Sequence, residues 1–317
     1  MKNTPINKAC KAFAPATVAN VGPGFDVLGL ALEGMGDTVE VQIQPGPPGV
    51  YLKEITGDEG KLPTDPTQNT AASAVLEILR YRGLLDQFRV EVTLHKGLPL
   101  GSGMGSSAAS AVAGIVAIDG LFVDDVPLQD RLSIAAECER LACGAAHLDN
   151  VAPSLMGGIV LLSSRGETPI SLPVPAGLWC GVVHPHMELR TEDSRAVLPD
   201  QVKLDVATEA MGQLALLVSA LHEGNIPRLI QALEDPLVTP YRAPLIPGFL
   251  DGLDALQNIS GTGGGLSGSG PSAFVLAEGK EACERGMSTF SQAFEKAGLE
   301  SDLCLSKIAS NGAHVVE

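Results

Sequence analysis

Aromatic residues are scarce in this chain, with one tryptophan, three tyrosines and eight phenylalanines, 4% of the sequence. Its core must therefore rest on Ala, Val, Leu and Ile. Basic charge is short as well: 21 Lys and Arg face 37 Asp and Glu, for a formal net charge of −16. No Lys/Arg cluster interrupts that balance. This argues against a nucleic-acid partner, because a phosphate backbone is held mainly by basic patches. An anionic ligand would have to be bound locally, by backbone N–H groups, single arginines or a metal. The six cysteines, Cys10, Cys138, Cys143, Cys180, Cys283 and Cys304, form no C-x-x-C pair. The common zinc and thioredoxin-type patterns are thus missing, and reduced thiols are expected. The opening MKNTPINKACKAF has no apolar core of a secretory signal. No run approaches the ~20 apolar residues that span a bilayer. A cytoplasmic protein without a membrane partner is the expectation.

What is present suits a folded protein: 317 residues, 45% hydrophobic and 18% charged, enough for about two domains. Thr38 to Gln44 and Phe88 to Leu100 alternate apolar and polar residues and read as strands. Asn69 to Gly83 and Leu128 to Gly144 have helical periodicity, with Asn69 as a cap and Gly83 as a stop. The apolar segment after Ser106 reads as a buried helix. HLDNVAPSLMGGIVLL reads as a loop, a short helix and a strand near Ile159 to Leu162. A Pro-rich shift near Gly166 marks a domain boundary, giving domains 1–165 and 166–317. Beyond it, WCGVVHP and SAFVLAE read as strands, ATEAMGQLALLVSALHEG and IPRLIQALE as helices, and Gly261 to Ser272 as a second glycine-rich loop. Strands and helices mix without strict alternation, which favours α+β over a doubly wound sheet.

The densest signal is GLPLGSGMGSSAASA, from Gly97 to Ala111, between a predicted strand and a predicted helix. Glycines let a backbone approach a ligand closely, and a helix start offers N–H groups and a favourable dipole to an anion. The segment is not a P-loop, because Ser106 follows Gly105 where that motif has lysine. It also fails the dinucleotide fingerprint, which needs Gly or Ala at position 106. A flexible turn with a serine cap is the bland alternative.

Pro99 to Ala109, PLGSGMGSSAA, resembles the phosphate-loop motif of the GHMP small-molecule kinases, with Met104 where leucine is common. Ala14 to Leu32 and Ser267 to Leu276 resemble the family's first and third motifs, in the same order. Within the family, PATVANVGPGFDVLG and HLDNVAP are similar to the homoserine kinase branch. The resemblance implies an α+β, two-domain fold: an N-terminal ribosomal-protein-S5-like domain followed by a ferredoxin-like domain. It implies transfer of the γ-phosphoryl group of ATP to the side-chain hydroxyl of L-homoserine, a step of threonine biosynthesis, with Mg²⁺ as cofactor. A homodimer is expected from the family alone.

By the same resemblance, ATP meets Pro99, Leu100, Gly101, Ser102, Gly103, Met104, Gly105, Ser106, Ser107, Ala108 and Ala109, with Asn69 near the adenine. Ser107 and Glu139 would hold Mg²⁺. Glu137 competes with Glu139, and the eleven-residue register to Asn150 favours Glu139. Both acids on a solvated helix face is the bland alternative. Asn20, Asp26, His147, Asn150, Thr191, Arg195 and Arg242 would hold the amino acid, with the arginines forking its carboxylate. Without the resemblance, Asn20 reads as a turn residue, Asp26 as a cap and each arginine as half of a surface ion pair. Asn150 and Arg195 are the catalytic candidates, and the base role of Asp149 stays open. A mevalonate or sugar kinase leaves Asp26 and the paired arginines unexplained. A silent nucleotide sensor leaves Ser107 and Glu139 without a reason.

Overall fold

The computed structural model describes residues 4–144, 147–163 and 168–316. The first part of the chain forms β1 (Ala9–Ala19), β2 (Leu28–Gln44), β3 (Gly49–Thr56), α1 (Thr70–Tyr81), β4 (Arg89–His95) and α2 (Ser106–Asp119). Then come α3 (Leu128–Cys143), α4 (Leu148–Met156), β5 (Ile159–Leu161) and β6 (Ile170–Leu172). The rest forms β7 (Leu178–Pro185), α5 (Thr191–Ala196), α6 (Leu204–Glu223), α7 (Ile226–Gln231), α8 (Thr239–Arg242) and α9 (Phe249–Leu256). It ends with β8 (Thr262–Leu266), β9 (Ala273–Glu278), α10 (Lys280–Lys296), β10 (Ser301–Lys307) and β11 (His314–Val316).

Two sheets organise these elements. The first runs β11-β1-β2-β4-β3, with β5 on β2 and β6 on β5, and the second runs β10-β7-β9-β8. The expected boundary at 165/166 falls in 164–167, outside the described residues. Both β6 and β11 lie C-terminal to that point and pair in the first sheet.

Helix α2 is the axis of the first layer. Every residue from Ala108 to Asp119 is buried, so it is apolar on all sides rather than amphipathic. It packs on β1 and β2 with one face and on α1, α3 and α4 with others. Its run of alanines lets these elements approach closely, which is how a core poor in aromatics fills. The second sheet shows the strand period of two. Cys180, Val182, Phe274 and Leu276 face the first core, while Val183, Ala273, Val275 and Ala277 face a second core under α9 and α10. The few aromatics collect there: Phe249, Phe290 and Phe294 stack with centroids 5.5 and 6.1 Å apart.

Two expectations need correction. Gly261 to Ser272 is not one loop, because Thr262–Leu266 pairs in register with β9. Ladder hydrogen bonds need only backbone, so a glycine run can form an edge strand. The other concerns the absence of a long apolar run. Among the described residues α6 is long and apolar enough to cross a membrane by length and composition. In the fold it buries Ala210, Leu217, Ala220 and Leu221, the last three as part of the first core.

Candidate active site

The phosphate-loop candidate leaves β4 at His95 and reaches α2 at Ser106. Gly103 and Gly105 both take left-handed φ angles, 76° and 66°. At Gly105 a side chain is also excluded by space, since a Cβ would sit 2.0 Å from Thr17 Oγ1 and 2.7 Å from Asn150 Oδ1. Gly105 caps α2 without a side-chain hydrogen bond. No cap side chain competes for the N–H groups at the start of α2, where the helix dipole favours an anion.

Directly behind this helix start lies a charge that sequence reasoning missed. Lys96 is buried and donates to Ser106 Oγ at 2.7 Å, Ser110 Oγ at 2.9 Å and the Ser106 carbonyl at 2.9 Å. Its ion-pair partner is the buried Asp37, which also accepts from Gly97 N at 3.0 Å. The pair fastens β2 to both ends of the loop.

Helix α3 brings Glu139 to the same place. Its carboxyl is 3% exposed and hydrogen bonds with Ser107. The other oxygen, Oε1, is buried and has no partner. Burial pushes this carboxyl up to about 7, against the opposing pull of the Ser107 bond and the Lys96 charge. Glu137 points elsewhere, to an exposed ion pair with Arg140 at 2.6 Å. An orphaned carboxylate oxygen beside a serine hydroxyl suits a hard cation that prefers oxygen ligands.

The opposite end of the cleft is built from the loop after β1. Asn20 and Asp26 both have φ of 57°, the left-handed region that non-glycine residues seldom occupy. Asn20 holds the turn: its Oδ1 accepts from Asp26 N at 2.8 Å and its Nδ2 donates to the Gly268 carbonyl at 2.9 Å. Asp26 then meets Arg195 at 2.7 Å. Arg242 is buried and donates to the carbonyls of Ser194 at 3.0 Å and Gly268 at 3.2 Å. Burial and the nearby Arg195 charge lower its pKa. Phe25, also unforeseen, lies 5.6 Å from the Arg195 guanidinium and 5.3 Å from that of Arg242.

His147 precedes α4 and lines the cleft. Its Nε2 is buried without a partner, and burial first, then Arg195, lowers its pKa. Asp149 is buried beside it, and burial with the charge of Asp26 pushes its carboxyl to about 7. Asn150 accepts from Thr17 Oγ1 at 2.7 Å. Thr191 opens α5 and stands 3.4 Å from Ser269 Oγ.

One cleft thus brings together Asn20, residues 101–103 and 105–107 of the loop, Glu139, His147, Asp149, Asn150, Thr191, Arg195 and Arg242, with Asp26 joined to it through Arg195. Arg190 is outside it, in surface pairs with Asp193 and Glu192. Asn69 is also apart from the cleft lining. Its buried amide caps α1, accepting from Ala72 N at 3.3 Å and donating to the Pro63 carbonyl at 3.2 Å. Met104, Ala108 and Ala109 are buried in the core, and Pro99 is exposed at the loop's entry.

Two family models match the chain: GHMP kinases N terminal domain over residues 69–158, and GHMP kinases C terminal over 217–296. A homoserine kinase of Chlorobium phaeobacteroides (strain BS1) is 40% identical over 98% of this chain and 100% of its own. One from Xylella fastidiosa (strain 9a5c) is 35% identical over 99% and 96%. The crystal structure of homoserine kinase from Cytophaga hutchinsonii superposes with a TM-score of 0.93 at 40% identity, covering all of both chains. The mevalonate kinase of L. major shares the fold, with a TM-score of 0.73 at 15% identity over 96% and 98%.

Proposed function

The chain belongs to the GHMP kinases, in their homoserine kinase branch, and from that premise we propose how its residues divide the work of moving the γ-phosphoryl group of ATP onto the side-chain hydroxyl of L-homoserine. Phosphoryl transfer depends on positioning and charge neutralisation more than on covalent help. The nucleotide end is the loop from Gly101 to Ser107 with the start of α2, whose N–H groups receive the phosphates. Ser107 and Glu139 hold Mg²⁺, a reading supported by the unpartnered Glu139 Oε1. When bound, the cation offsets the charge that gathers on the phosphate oxygens.

The acceptor end is zwitterion-shaped. Asp26 takes the ammonium group, and Arg195 and Arg242 take the carboxylate, so the substrate exchanges with an ion pair that the protein already makes at 2.7 Å. Asn20 holds Asp26 in its strained turn. Asn150 orients the hydroxyl. Asp149 receives the hydroxyl proton, because a buried carboxyl held near 7 in the cleft has the affinity a base needs at neutral pH. The observation that carries the reading is this union, in one cleft, of a helix start suited to an anion with two guanidinium groups, of which Arg195 is paired with Asp26.

An ADP-release assay with Mg·ATP tests it against L-homoserine, L-serine, L-threonine, mevalonate and galactose. Turnover is expected with L-homoserine. Turnover of mevalonate or galactose in its place would overturn the acceptor assignment, and nucleotide binding without any turnover would mark a sensor.

A further inference from the structure

The phosphate loop has three successive carbonyls already taken. Ser272 Oγ donates to the Ser102 carbonyl at 2.6 Å, and Ser267 Oγ donates to the Gly103 carbonyl at 2.8 Å. The backbone N–H of Thr17 donates to the Met104 carbonyl at 3.0 Å. In a trans peptide, the C=O of one residue and the N–H of the next point in opposite directions. Fixing the carbonyls of residues 102, 103 and 104 therefore aims the N–H groups of Gly103, Met104 and Gly105 the other way. Among the described residues, none of these three N–H groups has an acceptor. Gly103 and Gly105 line the cleft.

The two serines come from the other sheet. Ser267 follows β8, Ser272 precedes β9, and both are fully buried. The loop between them lies so close that a Cβ on Gly103 would meet the Ser267 carbonyl at 2.5 Å. Ser272 is itself held from behind: His184, on β7 and 7% exposed, places Nδ1 3.1 Å from its oxygen. Ser272 gives its only proton to Ser102, so it accepts from His184, and the imidazole proton sits on Nδ1. The line His184, Ser272, Ser102 runs from the middle of the second sheet to the phosphate loop.

We propose that Ser267, Ser272 and, behind Ser272, His184 are positioning residues for phosphoryl transfer, which orient the peptide planes of the phosphate loop so that its N–H groups are preformed for the nucleotide's phosphates. This rests on the reading of that loop as the ATP site. The second sheet then has a task beyond enclosing the acceptor, since it sets the geometry of a loop that belongs to the first.

The test is calorimetric binding of Mg·ADP and of L-homoserine, with steady-state kinetics, to Ser267→Ala and Ser272→Ala. Each leaves a buried carbonyl unsatisfied and frees one peptide plane, so Mg·ADP binding should weaken about 10-fold. KM for ATP should rise with it, while L-homoserine affinity stays within about 2-fold of wild type. Ser272→Thr keeps the hydroxyl and should restore nucleotide affinity. His184→Phe removes the support without touching the loop, and should weaken Mg·ADP binding by about 3-fold while His184→Asn, which keeps a donor, does not. Folded alanine variants that bind Mg·ADP like wild type would overturn the proposal. So would equal losses of nucleotide and homoserine affinity, which indicate general damage. Should both alanine variants fail to fold, the two His184 variants decide. Wild type that fails to bind Mg·ADP would instead overturn the kinase reading itself.

Discussion

Replacing Glu139 by Gln separates what this carboxyl does for folding from what it does for catalysis. In the folded protein burial holds it near 7, against an ordinary value of 4.5. Below 4.5 the group is protonated in folded and unfolded chains alike, and pH has no leverage through it. Between 4.5 and 7 the unfolded chain releases the proton while the folded chain keeps it, so stability falls as pH rises. Above 7 both states are ionised and the loss is complete. At about 1.4 kcal/mol per pH unit, the loss through Glu139 is on the order of 3 kcal/mol. Glutamine does not titrate. Urea unfolding of both proteins in metal-free buffer from pH 4.5 to 8 should therefore show wild type losing on the order of 3 kcal/mol relative to the variant up to pH 7, then running level with it. Taking the difference removes the slopes of groups common to both, including His147, whose lowered pKa acts in the opposite sense. A wild-type-minus-variant difference that stays flat with pH would refute the claim that Glu139 is a buried, unsatisfied carboxyl. At pH 7.5 the same variant should also lose Mg-dependent turnover and the rise in Tm that Mg·ADP gives wild type.

Asp149→Asn should lower kcat by ~10²-fold or more with the fold intact, and should abolish the rise of kcat toward a plateau above about 7 that a buried base produces. Stopped turnover measured from pH 5.5 to 9 checks both, and an unchanged profile would remove Asp149 as base. Asp26→Asn should raise KM for L-homoserine by about 10-fold or more, through loss of an ammonium partner and of the Arg195 pair, while leaving KM for ATP within a factor of two or so; nucleotide and amino-acid titrations distinguish the two. Asn69→Ala should cost about 1 kcal/mol of stability by uncapping α1, with KM for ATP nearly unmoved, because the amide is already committed to Ala72 and Pro63. A large rise in that KM would instead place Asn69 against the nucleotide.

Elements fixed by local pattern were the legible part of the fold. The alternation from Thr38 to Gln44 lies in β2, and the Asn69 cap opens α1 one residue later. Strand β8 was not legible, because a strand of three glycines presents no side-chain period and is made by its partner β9. The return of β11 to the edge of the first sheet could not be read either. Three residues at the end of the chain carry no pattern that says which strand they join, yet Lys11, Ala12 and Phe13 pair with them.

The site divides along the same line. Glu137 and Glu139 are two residues apart on one helix, about 200° around its axis, so one alone can face the cleft. Spacing within α3 cannot say which, and the choice came from the register to Asn150 together with the family resemblance. The structure places Glu139 inside and Glu137 in a solvent-exposed pair. The residues that went unforeseen owe their roles to contacts across long stretches of chain. Lys96 gains its importance from Asp37, 59 positions away. Ser272 reaches Ser102 across 170 positions and Ser267 reaches Gly103 across 164. A serine in a glycine-rich segment has many uses, and a hydroxyl that accepts from one sheet while donating to a loop on another is visible only when both ends are in place. The missing P-loop lysine acquires a physical sense on this basis. In the proposed site the cation beneath the helix start is neutralised by a buried aspartate, so phosphate charge would fall on peptide N–H groups and Mg²⁺, and the orientation of those N–H groups would be secured by donors to the loop's carbonyls.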